Sequence, residues 1–143
     1  MQLNIKTSKT FSDIYSGPRI VCLQGGTRSG KSYSAVQYTI VEALEEPGLM
    51  ISIVRKSFPS LRISALRDFK EIMKSLDIWD EDSWKASENT YFFENGSMIE
   101  FLSVQDSERR KGTKRDILLI DEANELDYED YFQLFIRTTD KTI

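Results

Sequence analysis

Gly25-Gly26-Thr27-Arg28-Ser29-Gly30-Lys31-Ser32 fits G-x-x-x-x-G-K-[ST], the loop that holds nucleotide phosphates between a strand and a helix. The glycines let the backbone turn until successive N–H groups converge on phosphate oxygens. Lys31 is placed to reach the β- and γ-phosphates. The Ser32 hydroxyl would ligate Mg²⁺, and the helix expected to start here adds the positive end of its dipole. ATP and Mg²⁺ are therefore the expected cofactors, with the backbone and side chains of Gly25 to Ser32 as their cradle.

The frame around the loop agrees. Arg19-Ile20-Val21-Cys22-Leu23-Gln24 reads as a short buried strand entered through the turn signal Gly17-Pro18, with Cys22 filling core. Tyr33, Val36, Ile40, Val41 and Leu44 recur at helical spacing, and Pro47-Gly48 stops that helix. Leu49 to Val54 is a second buried strand. Pro59 opens another helix, with Leu61, Ala65, Phe69, Ile72 and Leu76 on one face and Leu66 and Met73 beside them. Trp79 and Trp84 read as packing anchors. Asn95-Gly96 between Thr90–Glu94 and Ser97–Phe101 predicts an antiparallel hairpin, because both turn residues tolerate positive φ. Asp116 to Ile120 is a further strand, and Asp127 caps a last helix with Tyr128, Tyr131, Phe132 and Phe135 on its inner face. Thr142-Ile143 reads as the start of one more strand. The expected fold is α/β: a mostly parallel sheet flanked by helices, with a hairpin inserted near 90–101.

Composition narrows the chemistry. The chain has 143 residues, no histidine and one cysteine, so a single domain is expected and a zinc site is excluded. Any catalysis falls to carboxylates, lysine, arginine or a metal. No apolar run approaches membrane-spanning length, and the N-terminus has no signal-peptide core. The net charge of −4 argues against a generic polyanion binder. Two basic groups stand out even so: Arg109, Arg110, Lys111, Lys114 and Arg115, and then Arg55, Lys56, Arg62 and Arg67. Each is either a solvated face or a nucleic-acid contact.

The strand Ile117-Leu118-Leu119-Ile120 ends in Asp121-Glu122. A strand followed by an acidic helix cap gives the same letters, but the phosphate loop upstream favours a functional pair. Asp121 would hold Mg²⁺ through its water shell, opposite Ser32. Glu122, one residue on, would polarise the attacking water. An Asp-Glu pair is typical of motor-type ATPases. In such folds a strand later in the chain inserts between the loop strand and the Asp-Glu strand. Here that strand would begin near Ile143, so the expectation is a C-terminally truncated, partial domain.

Four segments together resemble the large terminase subunit of tailed bacteriophages, the ATPase that drives DNA into procapsids. They are G-G-T-R-S-G-K-S at 25–32, V-R-K-S-F-P-S-L-R at 54–62, R-K-G-T-K-R-D at 110–116 and L-L-I-D-E-A-N-E-L at 118–126. The resemblance runs from about Arg19 to Arg137 and implies a P-loop NTPase fold of the motor type. It implies Lys31 on phosphate, Ser32 and Asp121 on Mg²⁺, and Glu122 as the catalytic carboxylate. It also implies an arginine of the loop acting in cis on the γ-phosphate. That arginine is Arg28 here, whereas many members carry it one place earlier, where this chain has Thr27. On its residues alone, Arg28 is equally a solvated loop arginine. Arg55 could line the nucleotide site or face DNA, and Tyr15 and Arg19 are candidates for adenine contact. The implied partners are double-stranded DNA, a small terminase subunit, the portal and sister subunits in a ring. The implied setting is the cytoplasm of an infected bacterium. The family's nuclease domain is not matched. A DExx-type helicase or other nucleic-acid-stimulated ATPase, or a non-catalytic truncated nucleotide-binding or assembly module, remains open as an alternative.

Overall fold

A computed structural model of the chain describes residues 2–26, 28–105 and 113–143. The helices are α1 (Lys9–Tyr15), α2 (Lys31–Glu45), α3 (Phe58–Arg62), α4 (Ala65–Ser75) and α5 (Tyr128–Phe135). The strands are β1 (Met50–Arg55), β2 (Trp84–Lys85), β3 (Thr90–Phe92), β4 (Met98–Ser103), β5 (Arg115–Ile120) and β6 (Thr138–Thr142). They form one sheet in the order β2-β3-β4-β1-β5-β6. β4, β1, β5 and β6 run parallel, while β2 and β3 are antiparallel additions at one edge. No helix among the described residues is long and apolar enough to cross a membrane.

Alternation along the central strands sends side chains to both faces. Ile51, Ile53, Ile99, Phe101, Ile117 and Leu119 meet α1, α2 and α4 in the larger core. Val54, Leu102, Val104, Leu118 and Ile120 meet α5 through Leu134 in the smaller one. Trp79 and Trp84 anchor the edge as expected: both pack on the larger core, and Trp79 meets Phe69 and Tyr91 edge-on or tilted.

The hairpin forms, with a different turn. Ladder pairing stops at Phe92↔Met98. Phe93 N–H then bonds Ser97 O, and Gly96 N–H bonds Phe93 O. Only Gly96 takes positive φ, at 88°. Asn95 instead spends its side chain on tertiary ties. Its Nδ2 donates to Ala43 O at 2.8 Å, which pins the turn to the end of α2, and its Oδ1 accepts from Ser97 N within the turn.

Three expectations need correction. Arg19 to Gln24 is not a buried strand. It joins the sheet through one parallel bridge, Ile20↔Thr142, and Cys22 is exposed. Val21 and Leu23 pack inward, so the segment is an outermost element buried on one side, and a continuous apolar run cannot distinguish that from burial on both. The helix opened by Pro59 is two helices, broken at Ile63-Ser64. Last, α5 buries Leu134 and packs Tyr131 inward, while Tyr128 is 74% and Phe132 39% exposed. Aromatic stripes overlap on so short a helix, and spacing does not say which one faces the sheet. Leu134→Ala is therefore expected to cost about 2–5 kcal/mol in urea unfolding. Phe132→Ala is expected to cost no more than about 0.5 kcal/mol, the range of an ordinary surface change. Similar costs for the two would reverse the assigned face.

One expectation about an element end is met, and a strand foreseen at the C-terminus exists with other bounds. Asp127 caps α5, accepting from Asp130 N at 2.9 Å. The strand foreseen at the C-terminus is β6. Its bounds need correction: it spans Thr138–Thr142, so it ends where it was expected to begin, and it lies between β5 and the bridge residue Ile20.

Candidate nucleotide site

β6 brings the phosphate loop to the carboxylate strand. Val21 N–H bonds Thr142 O at 2.9 Å on one side, and Ile143 N–H bonds Leu118 O at 2.8 Å on the other. From this seam the loop turns into α2. Ser29 N–H bonds Gly26 O, and Lys31 Nζ lies 3.4 Å from Gly26 O. Gly30, at φ 77°, caps α2 without a side-chain bond. The first-turn amides are thus left for an anion, and the dipole adds positive potential there. Arg28 and Ser29 are exposed at the mouth, with Arg28 also at positive φ, 65°. Thr27 lies outside the described residues.

Across the seam, Asp121 continues the β5 pairing through its N–H to Val54 O at 2.8 Å. Its carboxylate is 6% exposed. Ser32 Oγ donates to Asp121 Oδ1 at 3.1 Å, so the loop and the strand end meet side chain to side chain. Two oxygens of this kind fit Mg²⁺, which prefers hard ligands and retains most of its waters. Among the described residues there is no group of three or more His, Cys, Asp or Glu side chains that could hold a metal alone. The phosphates would have to share in the coordination. Glu122 is exposed and sits at φ 57°, ψ 59°. A glutamate in the left-handed region costs on the order of 1–2 kcal/mol. Such a conformation turns the chain sharply out of β5, so that Glu122 leaves the sheet where Asp121 stays in it.

Arg55 resolves toward the site. Its Nη1 is 3.5 Å from Asp121 Oδ2, and its Nε and Nη2 reach Glu125 at 3.3 and 3.1 Å. The hydrogen bonds to Glu125 raise its pKa above the ordinary arginine value. It lies at the C-terminal end of β1, where parallel sheets place ligands. Of the adenine candidates, Arg19 donates to Thr138 O at 2.8 Å and lies over Phe135, while Tyr15 stacks against Phe11.

The two basic groups fare differently. Arg109, Arg110 and Lys111 lie outside the described residues, and Lys114 is exposed. Arg115 is 1% exposed and points to Ser52 and Leu134, so it is not a nucleic-acid contact. Arg62 and Arg67 are exposed and share a groove with Lys70 and Lys74, residues that sequence reading passed over. Their i, i+4 recurrence along α4 was the signal available. Ser64 and Glu125, both in contact with the Asp121–Arg55 pair, were also missed. Nothing in their local sequence marks them.

The fold has solved counterparts. It superposes on the large terminase of a thermophilic bacteriophage with a TM-score of 0.75 and 14% identity, over 96% of this chain and 38% of that one. The same phage's terminase in complex with ATP-gamma-S gives 0.64 and 15%, over 96% and 37%. The ATPase domain of the Thermus phage P74-26 large terminase gives 0.72 and 15%, over 96% and 64%. The chain thus spans less than two thirds of the length of these structures. No curated protein matches it by sequence. The family model for the phage terminase large subunit matches residues 18–142. With that match covering most of its length, the chain belongs to the phage terminase large subunit family.

Proposed function

We propose that the chain is an ATP-binding and ATP-hydrolysing core of a phage DNA-packaging motor. The observation that carries this reading is the 3.1 Å contact between Ser32 and Asp121. It joins the phosphate loop to the acidic strand end, with Glu122 next in line. Gly25 to Gly30 and the first-turn amides of α2 bind phosphate oxygens. Lys31 exchanges its contact with Gly26 O for the β- and γ-phosphates. Ser32 and Asp121 would hold Mg²⁺, which when bound would supply charge neutralisation for the phosphates. Glu122 orients water in line with the γ-phosphate, and Arg28 offsets charge that grows on it in the transition state. The thermophilic-phage terminase, solved with ADP and with ATP-gamma-S, supports nucleotide as the ligand.

β6 also weighs against a non-catalytic module. The strand needed to hold loop and carboxylate in register is present, bonded at 2.8–2.9 Å through Thr142 and Ile143. In the working motor the chain acts on double-stranded DNA, as a ring of copies, with the small subunit and portal, in the host cytoplasm. The basic groove of Arg62, Arg67, Lys70 and Lys74 is a suitable phosphate-backbone surface.

The test is Mg²⁺-ATP hydrolysis by the purified chain, with and without duplex DNA, beside Lys31→Ala. The expected result is turnover that duplex DNA raises and Lys31→Ala abolishes. Turnover indifferent to Lys31, or none from a folded chain, would contradict the proposal.

A further inference from the structure

Ser64 occupies the N-cap position of α4 but does not cap it: its side chain makes no bond to the helix's first-turn amides. The contrast with the other capped helices is direct. Ser8 accepts from Phe11 N, Ser57 from Ser60 N, and Asp127 from Asp130 N. Ser64 Oγ instead lies 2.7 Å from Asp121 Oδ2. Ser60 O at 2.9 Å and Leu61 O at 3.5 Å are its other neighbours. A hydroxyl has one proton to donate. The carboxylate is the closest of the three acceptors and the charged one, so it takes that proton.

This contact divides the work of the Asp121 carboxylate. Oδ1 accepts from Ser32 on the nucleotide side. Oδ2 is held from behind, by Ser64 at 2.7 Å and by Arg55 at 3.5 Å. A carboxylate without such anchors can rotate about its Cβ–Cγ bond and offer either oxygen in any orientation. The interruption between α3 and α4, with Ser64 at φ −120°, ψ −102°, is what turns the hydroxyl toward Asp121. We propose that Ser64 is a positioning residue for Asp121, fixing Oδ2 so that Oδ1 faces Ser32 and the Mg²⁺ they would share. This inference rests on the nucleotide reading above.

Partners behind a metal-binding group typically change metal affinity by about 10–100-fold when removed. The test titrates Mg²⁺ into the purified chain carrying fluorescently labelled ADP, and compares wild type with Ser64→Ala, Ser64→Thr and Lys31→Ala. Binding in EDTA and circular dichroism are recorded for each. Ser64→Ala is expected to raise the Mg²⁺ midpoint by about 10-fold or more, with labelled ADP binding in EDTA unchanged and Ser64→Thr close to wild type. An unchanged midpoint in Ser64→Ala, while Lys31→Ala abolishes binding, overturns the role of Ser64 and leaves the nucleotide site standing. Equal loss in EDTA and in Mg²⁺ makes Ser64 merely structural and also overturns it. Wild-type binding that ignores both Mg²⁺ and Lys31 overturns the nucleotide reading, and the inference with it.

Discussion

Glu122→Gln is expected to lower ATP turnover by a factor of about 10²–10⁴, the range that a positioned proton acceptor contributes, and to leave nucleotide affinity intact. Backbone geometry separates the two effects. Asp121 is locked to Val54 O, and Glu122 follows in a left-handed turn that carries it away from the sheet. Ser32 donates to Asp121, so the proposed phosphate and metal contacts would not pass through the Glu122 side chain. Glutamine keeps the length and hydrogen-bonding capacity but cannot take a proton from water. It has the same unbranched stem, so the left-handed backbone at 122 is no worse tolerated and stability should move by no more than about 0.5 kcal/mol. Single-turnover hydrolysis and equilibrium binding on the same preparation measure turnover and affinity apart. A variant that hydrolyses at the wild-type rate would remove Glu122 from the mechanism.

The largest stability effect is expected at Arg115. This arginine is buried between β5, β1 and α5. Its Nε donates to Ser52 Oγ at 2.8 Å, and Ser52 Oγ in turn donates to Glu100 Oε1 at 2.6 Å. Nη1 donates to Leu134 O at 3.1 Å, which ties the end of α5 to the sheet. Burial pulls the guanidinium pKa below its ordinary value, and the Glu100 charge pushes back. Removing one partner of such an arrangement leaves the other charge buried without compensation, at a cost of about 3–5 kcal/mol. Folded domains have only about 5–15 kcal/mol in total, so Arg115→Ala should be largely unfolded in mild urea by circular dichroism. Replacing both charges, as Arg115→Met with Glu100→Gln, should recover most of the loss. A cost under about 1 kcal/mol for Arg115→Ala would mean that the buried chain is better solvated than its geometry implies.

Arg115 also illustrates where sequence reading stops. It stood in a basic run, and alternation from Ile117 would have placed it on the larger core's face. The side chain instead reaches Ser52 and Leu134 on the other face, at the point where the pairing of β5 with β6 shifts register. An irregularity of that kind leaves no mark in composition. The glycine-rich turn into α2, β1, β5 with its acidic end, and the hairpin were legible because each depends on local chemistry: glycine conformations, β-branched runs, a turn signal. The contact of Ser64 with Asp121 joins positions far apart in the chain, and the exposure of Cys22 and Tyr128 depends on what packs beside them. Those are properties of the assembled sheet. The order of β6 beside β5 was legible only through the family pattern, since Thr138 to Asp140 carries little strand signal of its own.

If the loop at 25–32 and Asp121 make one nucleotide site, a single binding event must depend on both. Calorimetric titration of ADP into the purified chain, with and without Mg²⁺, reads that dependence when repeated for Lys31→Ala and Asp121→Ala. The expected outcome is saturable binding to the wild type that Lys31→Ala abolishes, and that loses its Mg²⁺ dependence in Asp121→Ala. Binding that persists unchanged in both variants, or a folded wild-type chain that binds no ADP, would contradict a shared site.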